Sequence, residues 1–344
     1  MKDPKLLETM KNYKGRDDVP EDFDSFWNQA IAKMTELPEY KLEERDFSIP
    51  NVACYELTFK GTRNGLVYSR MILPKTDHKV PVIFHFHGYM GRCWDWSDML
   101  AYTVAGYGVV SMDVSGQSGF STAGDRSPLG NTVKGKALQE QRDVYASLSS
   151  LKKDELFYKD IYLDLYQLIE IVASLPQVND SKLASYGASQ GGALALVAAG
   201  LNPRIQRTVA IYPFLSDFRR VLEIGNTSEA YDELFRYFKF HDPFHETEDR
   251  LMQTLAYIDV KNFAHRIKGQ VHMITGLDDD VCYPETQFAI YNRLECPKEH
   301  LIMPEYAHEA MNVQVNDLVY NWLCGSKIPK TPLELGFMQV EKEG

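Results

Sequence analysis

The sequence has little of what would mark it for a membrane, a disulfide scaffold or a nucleic acid. Its apolar runs last about a helical turn or two, far short of the ~20 residues a spanning helix needs. The five cysteines (Cys54, Cys93, Cys282, Cys296, Cys324) are odd in number and show no CxxC spacing, which argues against a disulfide framework or a zinc knuckle. Positive charge is sparse: 37 Lys and Arg against 48 Asp and Glu leave a net charge of −11, with no basic block to neutralise phosphates. No internal repeat or low-complexity segment interrupts the chain. These absences predict reduced thiols, no membrane and no nucleic-acid partner, and a neutral or cationic small substrate. The opening "MKDPKLLETMKNYKGRDD" is too charged for a signal peptide, so the expected location is cytoplasmic.

What is present is enough apolar material, 44% of 344 residues, to bury a full core. The chain reads as a single domain over 1–344, with an N-terminal arm over 1–50. In that arm "EDFDSFWNQAIAKMTE" spaces Phe23, Phe26, Trp27, Ala30 and Ile31 as one face of a helix that Pro38 stops. The runs "CYELTFKG" and "LVYSRMILP", separated by Gly61 and Asn64-Gly65, predict an antiparallel pair of strands.

Beyond them, strands and helices alternate. "VPVIFHFHG", "YGVVSMDV", "KLASYG", "RTVAIYP", "QVHMITG" and "EHLIMP" read as strands, with helices near 97–105, near 160–175 and from 190. Short apolar runs alternating with helices predict a doubly wound, mostly parallel α/β sheet covered on both faces. Two segments depart from this rhythm. Residues 213–262, rich in aromatics and charges, predict helices inserted between strands, as a cap or an oligomer surface; the polar 134–156 predicts a surface excursion.

Chemistry centres on Gly187-Ala188-Ser189-Gln190-Gly191, which follows a strand and opens a helix. A serine held on such a sharp turn needs small neighbours so that strand and helix can approach, and Gly187, Ala188, Gly191 and Gly192 meet that demand. The bland alternative is a small-residue turn into a buried helix. A hydroxyl becomes a nucleophile only beside a base, and the base needs an orienting carboxylate. Asp278, Asp279 and Asp280 follow one later strand and His308 follows the next, in the chain order Ser, Asp, His of α/β-hydrolases. An acidic triplet is otherwise a solvated loop, and His308 could merely open a helix; their joint order at strand ends favours the catalytic reading.

An oxyanion hole takes two backbone N–H groups. Gln190, just after the serine, supplies one, and Tyr89 in "FHFHGYMGR" is placed to supply the other. Trp94 and Trp96 are candidates, with Tyr89, for lining a pocket that favours short acyl groups. His85, His272 and His300 lie on predicted strands and read as structural, His241 and His245 fall among the inserted helices, and Ser121 in "GFSTAG" precedes no helix.

Together "HGY" at 87–89, "GASQGG" at 187–192, "GLDDDVCYP" at 276–284 and "AHEA" at 307–310 resemble carbohydrate esterase family seven, the acetyl xylan esterases and cephalosporin C deacetylases of the α/β-hydrolase superfamily. "VPEDFDSFW" and "YNRL" extend the resemblance over most of the chain. It implies Ser189 as nucleophile, His308 as base, Asp279 as the orienting acid among the three aspartates, and Tyr89 and Gln190 as oxyanion donors. It also implies small acetylated substrates, no cofactor or metal, and homo-oligomers, commonly hexamers with sites facing an inner cavity. A short-chain lipase, a peptidase or a non-catalytic binding protein on the same fold are the alternatives. One departure is local: where the family carries Arg-Gly-Gln, this chain has Ser115-Gly116-Gln117, and loss of the arginine removes charge-assisted hydrogen bonds expected to hold the loops there, a question of local rigidity and not of the triad. The other is 134–156, longer and differently composed than the family's connector.

Overall fold

The computed structural model describes residues 4–34, 36–117, 119–122, 124, 152–225, 229–311, 315–325 and 339–343. Of the polar segment 134–156, only 152–156 are among the described residues.

Helices α1 (Pro4–Lys11) and α2 (Phe23–Ala32) lead into strands β1 (Tyr40–Arg45), β2 (Val52–Lys60), β3 (Leu66–Pro74) and β4 (Val80–Phe86). Then come α3 (Trp96–Val104), β5 (Gly108–Met112), α4 (Phe157–Ser174), β6 (Val178–Ala188), α5 (Gln190–Leu201) and β7 (Ile205–Ile211). Helices α6 (Phe218–Ile224), α7 (Asp232–Phe240) and α8 (Glu248–Leu255) lie between β7 and β8 (Gln270–Gly276), inside the segment read as an insertion. The chain continues through α9 (Pro284–Tyr291), β9 (Lys298–Met303), α10 (Val315–Cys324) and β10 (Gln339–Glu343).

The described strands form one sheet in the order β1-β2-β3-β5-β4-β6-β7-β8-β9-β10. From β5 to β9 all neighbours are parallel; β1, β2, β3 and β10 join antiparallel at the two sides. The central strands are apolar because helices cover both faces: in β4 every residue but Pro81 is buried, and β5 is buried throughout. Helix α5 shows the same logic, with all twelve residues buried and apolar positions all round. Sequence patterning did not reveal β1, "YKLEER", because it is an edge strand with four charges and no buried residue, the composition that keeps an edge from recruiting another chain.

The N-terminal arm is docked as its spacing predicts. Trp27 is fully buried, packs on Tyr162 and Phe263, and donates its indole N–H to the Tyr257 carbonyl at 3.0 Å. Further along, Asn292 donates to the carbonyls of Met10 and Tyr13, both at 2.8 Å, and Arg293 to those of Lys14 and Asp17. The arm thereby braces the end of α9. The carboxyl ends of β4, β6, β7, β8 and β9 converge on one edge of the sheet, where open α/β sheets place their ligand sites.

Candidate active site

Ser189 sits between β6 and α5 with φ 57° and ψ −121°, a backbone conformation that costs free energy in a non-glycine residue and persists only where its surroundings enforce it. The enforcement is visible. The Ser189 N–H donates to the Ile211 carbonyl at 2.9 Å, and its carbonyl accepts from Ala193 and Phe214 at 3.1 Å each. Glycine is required around it for close approach: a Cβ on Gly191 would overlap the Phe86 carbonyl oxygen, and one on Gly187 would overlap the Gly191 backbone.

His308 stands in the loop after β9 with Nε2 3.1 Å from the Ser189 Oγ. Its Nδ1 faces the Asp279 carboxylate, 2.9 Å from Oδ2 and 3.1 Å from Oδ1. Among the three aspartates Asp280 is exposed and Asp278 half-buried, whereas Asp279 is buried. Three more donors converge on Asp279: the N–H groups of Val281 (3.0 Å) and Cys282 (2.8 Å) on Oδ1, and the Gln287 amide (3.2 Å) on Oδ2. The acid and base loops are also tied directly, Leu277 N–H to the Met303 carbonyl at 3.0 Å and Asp278 N–H to that of Tyr306 at 2.9 Å.

The other expected participants divide. Gly88 lies against the elbow, since a Cβ placed on it would stand 3.9 Å from the Ser189 Cβ, so the loop carrying Tyr89 borders the serine. Gln190 is the first residue of α5, where helix geometry leaves the N–H without an intrahelical acceptor. Its side chain is fully buried and committed elsewhere. It exchanges amide hydrogen bonds with Gln117 (2.6 and 3.1 Å) and accepts from the Tyr158 hydroxyl at 2.9 Å.

The tryptophans are placed differently from their expected role. Trp94 stacks on His85, with ring centroids 3.5 Å apart, and neighbours Tyr102 and Tyr186; Trp96 packs on Phe47 with Arg70 over its ring. Their ring contacts run to the strand face and the β3 side, and among the described residues neither ring pairs with that of His308. Tyr212 lies with its ring 4.5 Å from that of His308, where burial, reinforced by Asp279, pushes its phenol up to about 12. It follows β7 in "AIYP", a stretch that reads from sequence only as the end of a strand.

The loop around Ser115 carries a set of hydrogen bonds that do not involve an arginine. Ser115 is fully buried and its Oγ has no partner among the described residues, but the neighbours supply bonds. Asp113 accepts from the N–H groups of Cys93 (2.6 Å) and Phe120 (2.7 Å), and Gln117 accepts from that of Met90 at 3.0 Å. His87 accepts from the Val114 N–H at 2.9 Å through Nε2 while its Nδ1 faces the Gly88 carbonyl at 2.7 Å. One nitrogen accepting and the other donating describes a neutral ring, and burial lowers its pKa accordingly.

A family model for acetyl xylan esterase (AXE1) matches residues 1–326. The chain belongs to the acetyl xylan esterase family. A solved member of that family, acetyl xylan esterase 1 from Thermoanaerobacterium sp., is 38% identical, with 93% of this chain and 98% of that one covered and a TM-score of 0.84. The acetyl xylan esterase from Paenibacillus sp. is 31% identical, covering 91% and 97% at a TM-score of 0.81. Acetyl esterase Axe7A of Xylanibacter ruminicola is 28% identical over 292 residues; the match takes in 84% of this chain and 63% of the length of that relative. The family's α/β-hydrolase fold accounts for the sheet order and for the sharp turn at the end of β6 that carries Ser189.

Proposed function

We propose that this chain is a serine esterase that removes acetyl groups from small molecules, including acetylated xylo-oligosaccharides and cephalosporin C-like substrates. The observation that carries the reading is the continuous line from Asp279 through His308 to the Ser189 Oγ, with contacts of 2.9 and 3.1 Å, in a member of the acetyl xylan esterase family.

In the proposed reaction His308 Nε2 takes the Ser189 proton as Oγ attacks the acetyl carbonyl. Asp279 holds the tautomer with the proton on Nδ1 and stabilises the imidazolium that forms. The N–H groups of Tyr89 and Gln190 receive the developing oxyanion, each contributing about 3 kcal/mol in sites of this kind. His308 then protonates the departing alcohol oxygen, and water repeats the attack on the acetyl-serine, releasing acetate and restoring Ser189. No step requires a metal or cofactor. The resemblance to carbohydrate esterase family seven supports a homo-oligomer, a hexamer; the net charge of −11 with no basic block weighs against a nucleic-acid partner, and the proposed location is cytoplasmic.

The test compares hydrolysis of acetyl, butyryl and longer aryl esters by the wild type and Ser189→Ala. The expected result is a wild-type preference for acetyl and a loss of about 10⁵-fold or more in the variant. Equal rates in the two proteins would end the esterase reading, and a preference for long chains would replace it with a lipase. Because the base works as a neutral imidazole, the wild-type rate should also fall in acid.

A further inference from the structure

We propose that Gln287 is a positioning residue that fixes the Asp279 carboxylate and thereby sets how strongly Asp279 supports His308; the proposal rests on the esterase reading. Gln287 lies one turn into α9, eight residues beyond Asp279, and is fully buried. Its Nε2 donates to Asp279 Oδ2 at 3.2 Å and to the Cys282 carbonyl at 2.5 Å. Oδ2 is also the oxygen nearest His308 Nδ1, at 2.9 Å. The amide and the imidazole therefore share one acceptor atom.

Two features separate this from ordinary packing. The amide can face only one way, because turning it over would aim its oxygen at a carboxylate and a carbonyl, neither of which can donate. And its Oε1 is buried with no partner among the described residues. A buried acceptor left unmade is costly, so the side chain gives up one end to deliver both donor hydrogens on the other. The helix that carries it is held independently, by Asn292 and Arg293 on the N-terminal arm, so Gln287 meets Asp279 from a fixed base.

The consequence for catalysis has a definite sign. A donor on Oδ2 draws charge away from His308. Without it the carboxylate is more basic, stabilises the imidazolium more, and the His308 proton is lost at higher pH. The acid limb of the rate profile should then move upward. Other titratable groups face this pair: Tyr212 from the end of β7, Cys282, Tyr283 and Asp280 from the acid loop, and Glu309 beside the base. Burial pushes the Cys282 thiol up and both tyrosines up to about 12, so all three stay protonated through the working range. Asp280 and Glu309 are exposed, where solvent screens them.

The experiment uses Gln287→Met, which keeps length and loses the donors, and Gln287→Glu, which keeps the shape and sets a carboxyl against Asp279. The acid limb of kcat/KM should move up by about half a pH unit in the first and down in the second, where burial and the neighbouring carboxylate keep the new acid protonated so that its O–H donates to Oδ2. In the first, kcat should fall about 10-fold because an Asp279 carboxylate no longer held in place misorients His308, which outweighs its greater basicity, and in both KM should stay within about twofold, since Gln287 does not touch substrate. In parallel, the downfield His308 Nδ1 proton resonance is recorded in a Ser189→Ala background with and without each change. That signal reports the Asp279–His308 bond in the resting protein, so it tests Gln287 even if the esterase reading fails. It should shift in both variants. A folded variant with an unmoved resonance, or a uniform activity loss at every pH with no displaced limb, would overturn the proposal; Gln287→Glu, nearly isosteric, serves if the methionine variant does not fold.

Discussion

The two halves of the candidate site are built by different physics. On the nucleophile side, Ser189 is fixed by backbone sterics: the sheet and α5 approach so closely at Gly187, Gly191 and Phe86 that no side chain fits between them. On the acid–base side, Asp279 and His308 sit on loops, and their geometry comes from hydrogen bonds, two from the acid loop's own backbone and one from Gln287 on α9. The first arrangement concentrates its steric demands on the short stretch Gly187–Gly191, pressed against the Phe86 backbone of β4. The second draws on the acid loop, the base loop and a helix braced by an arm some 280 residues away in sequence. A steric site fails abruptly when it is filled; a hydrogen-bonded one degrades bond by bond.

The contrast can be broken from either side. The largest effect is expected from Asp279→Asn, which keeps the volume but presents an amide to His308 and favours the wrong tautomer. Single-turnover kinetics should show the chemical step slowed about 10⁴-fold. A loss below about 10-fold would mean that Asp279 does not orient the base. Next is Gly191→Ala, one methyl on the other side. Its Cβ would meet the Phe86 carbonyl oxygen, and a backbone atom in a central strand cannot swing aside. A destabilisation of at least about 3 kcal/mol is expected in urea unfolding, large enough to be read as loss of soluble protein. A fully stable Gly191→Ala would show that the elbow has slack the geometry denies.

Legibility in the sequence followed the same division. The elbow was readable because its demands fall on neighbouring residues, so "GASQGG" after an apolar run states both the turn and the close approach. The parallel strands were readable for a related reason: burial on both faces leaves unbroken apolar runs such as "VPVIFHF". The acid could be placed on a loop, but composition did not separate Asp278, Asp279 and Asp280; that choice came from resemblance, and the burial of Asp279 against His308 is what the structure adds. Gln287 and Tyr212 left no local signal, since a glutamine in a helix and a tyrosine after a strand are ordinary until the chain is folded. Around Ser115 the missing arginine is visible in a motif, whereas the bonds that Asp113, His87 and Gln117 make there exist only in the folded chain.

The smallest expected effect would sharpen the comparison through pH. His300 in β9 lies beneath the acid–base side, its ring 4.7 Å from Phe288 and 4.3 Å from Tyr291 of α9 and its Nε2 2.9 Å from Thr275. Burial lowers its pKa to about 3 from an ordinary 6.5. Above pH 6.5 both folded and unfolded chains hold it neutral and it contributes no pH dependence. Between 6.5 and 3 the unfolded chain binds a proton that the native ring refuses, so stability falls as the pH drops and levels off below 3. From pH 7 to 5 that amounts to up to about 2 kcal/mol from this group. Urea midpoints at the two pH values should move closer together in His300→Gln, which retains a polar contact for Thr275 but does not titrate. Hydrogen exchange should locate the acid weakness in α9 and spare α5, because the helix over His300 is the one held by individual bonds. Equal acid sensitivity in α5 and α9 would mean that the two halves yield as a single unit, and the distinction between a steric and a hydrogen-bonded side would not extend to stability.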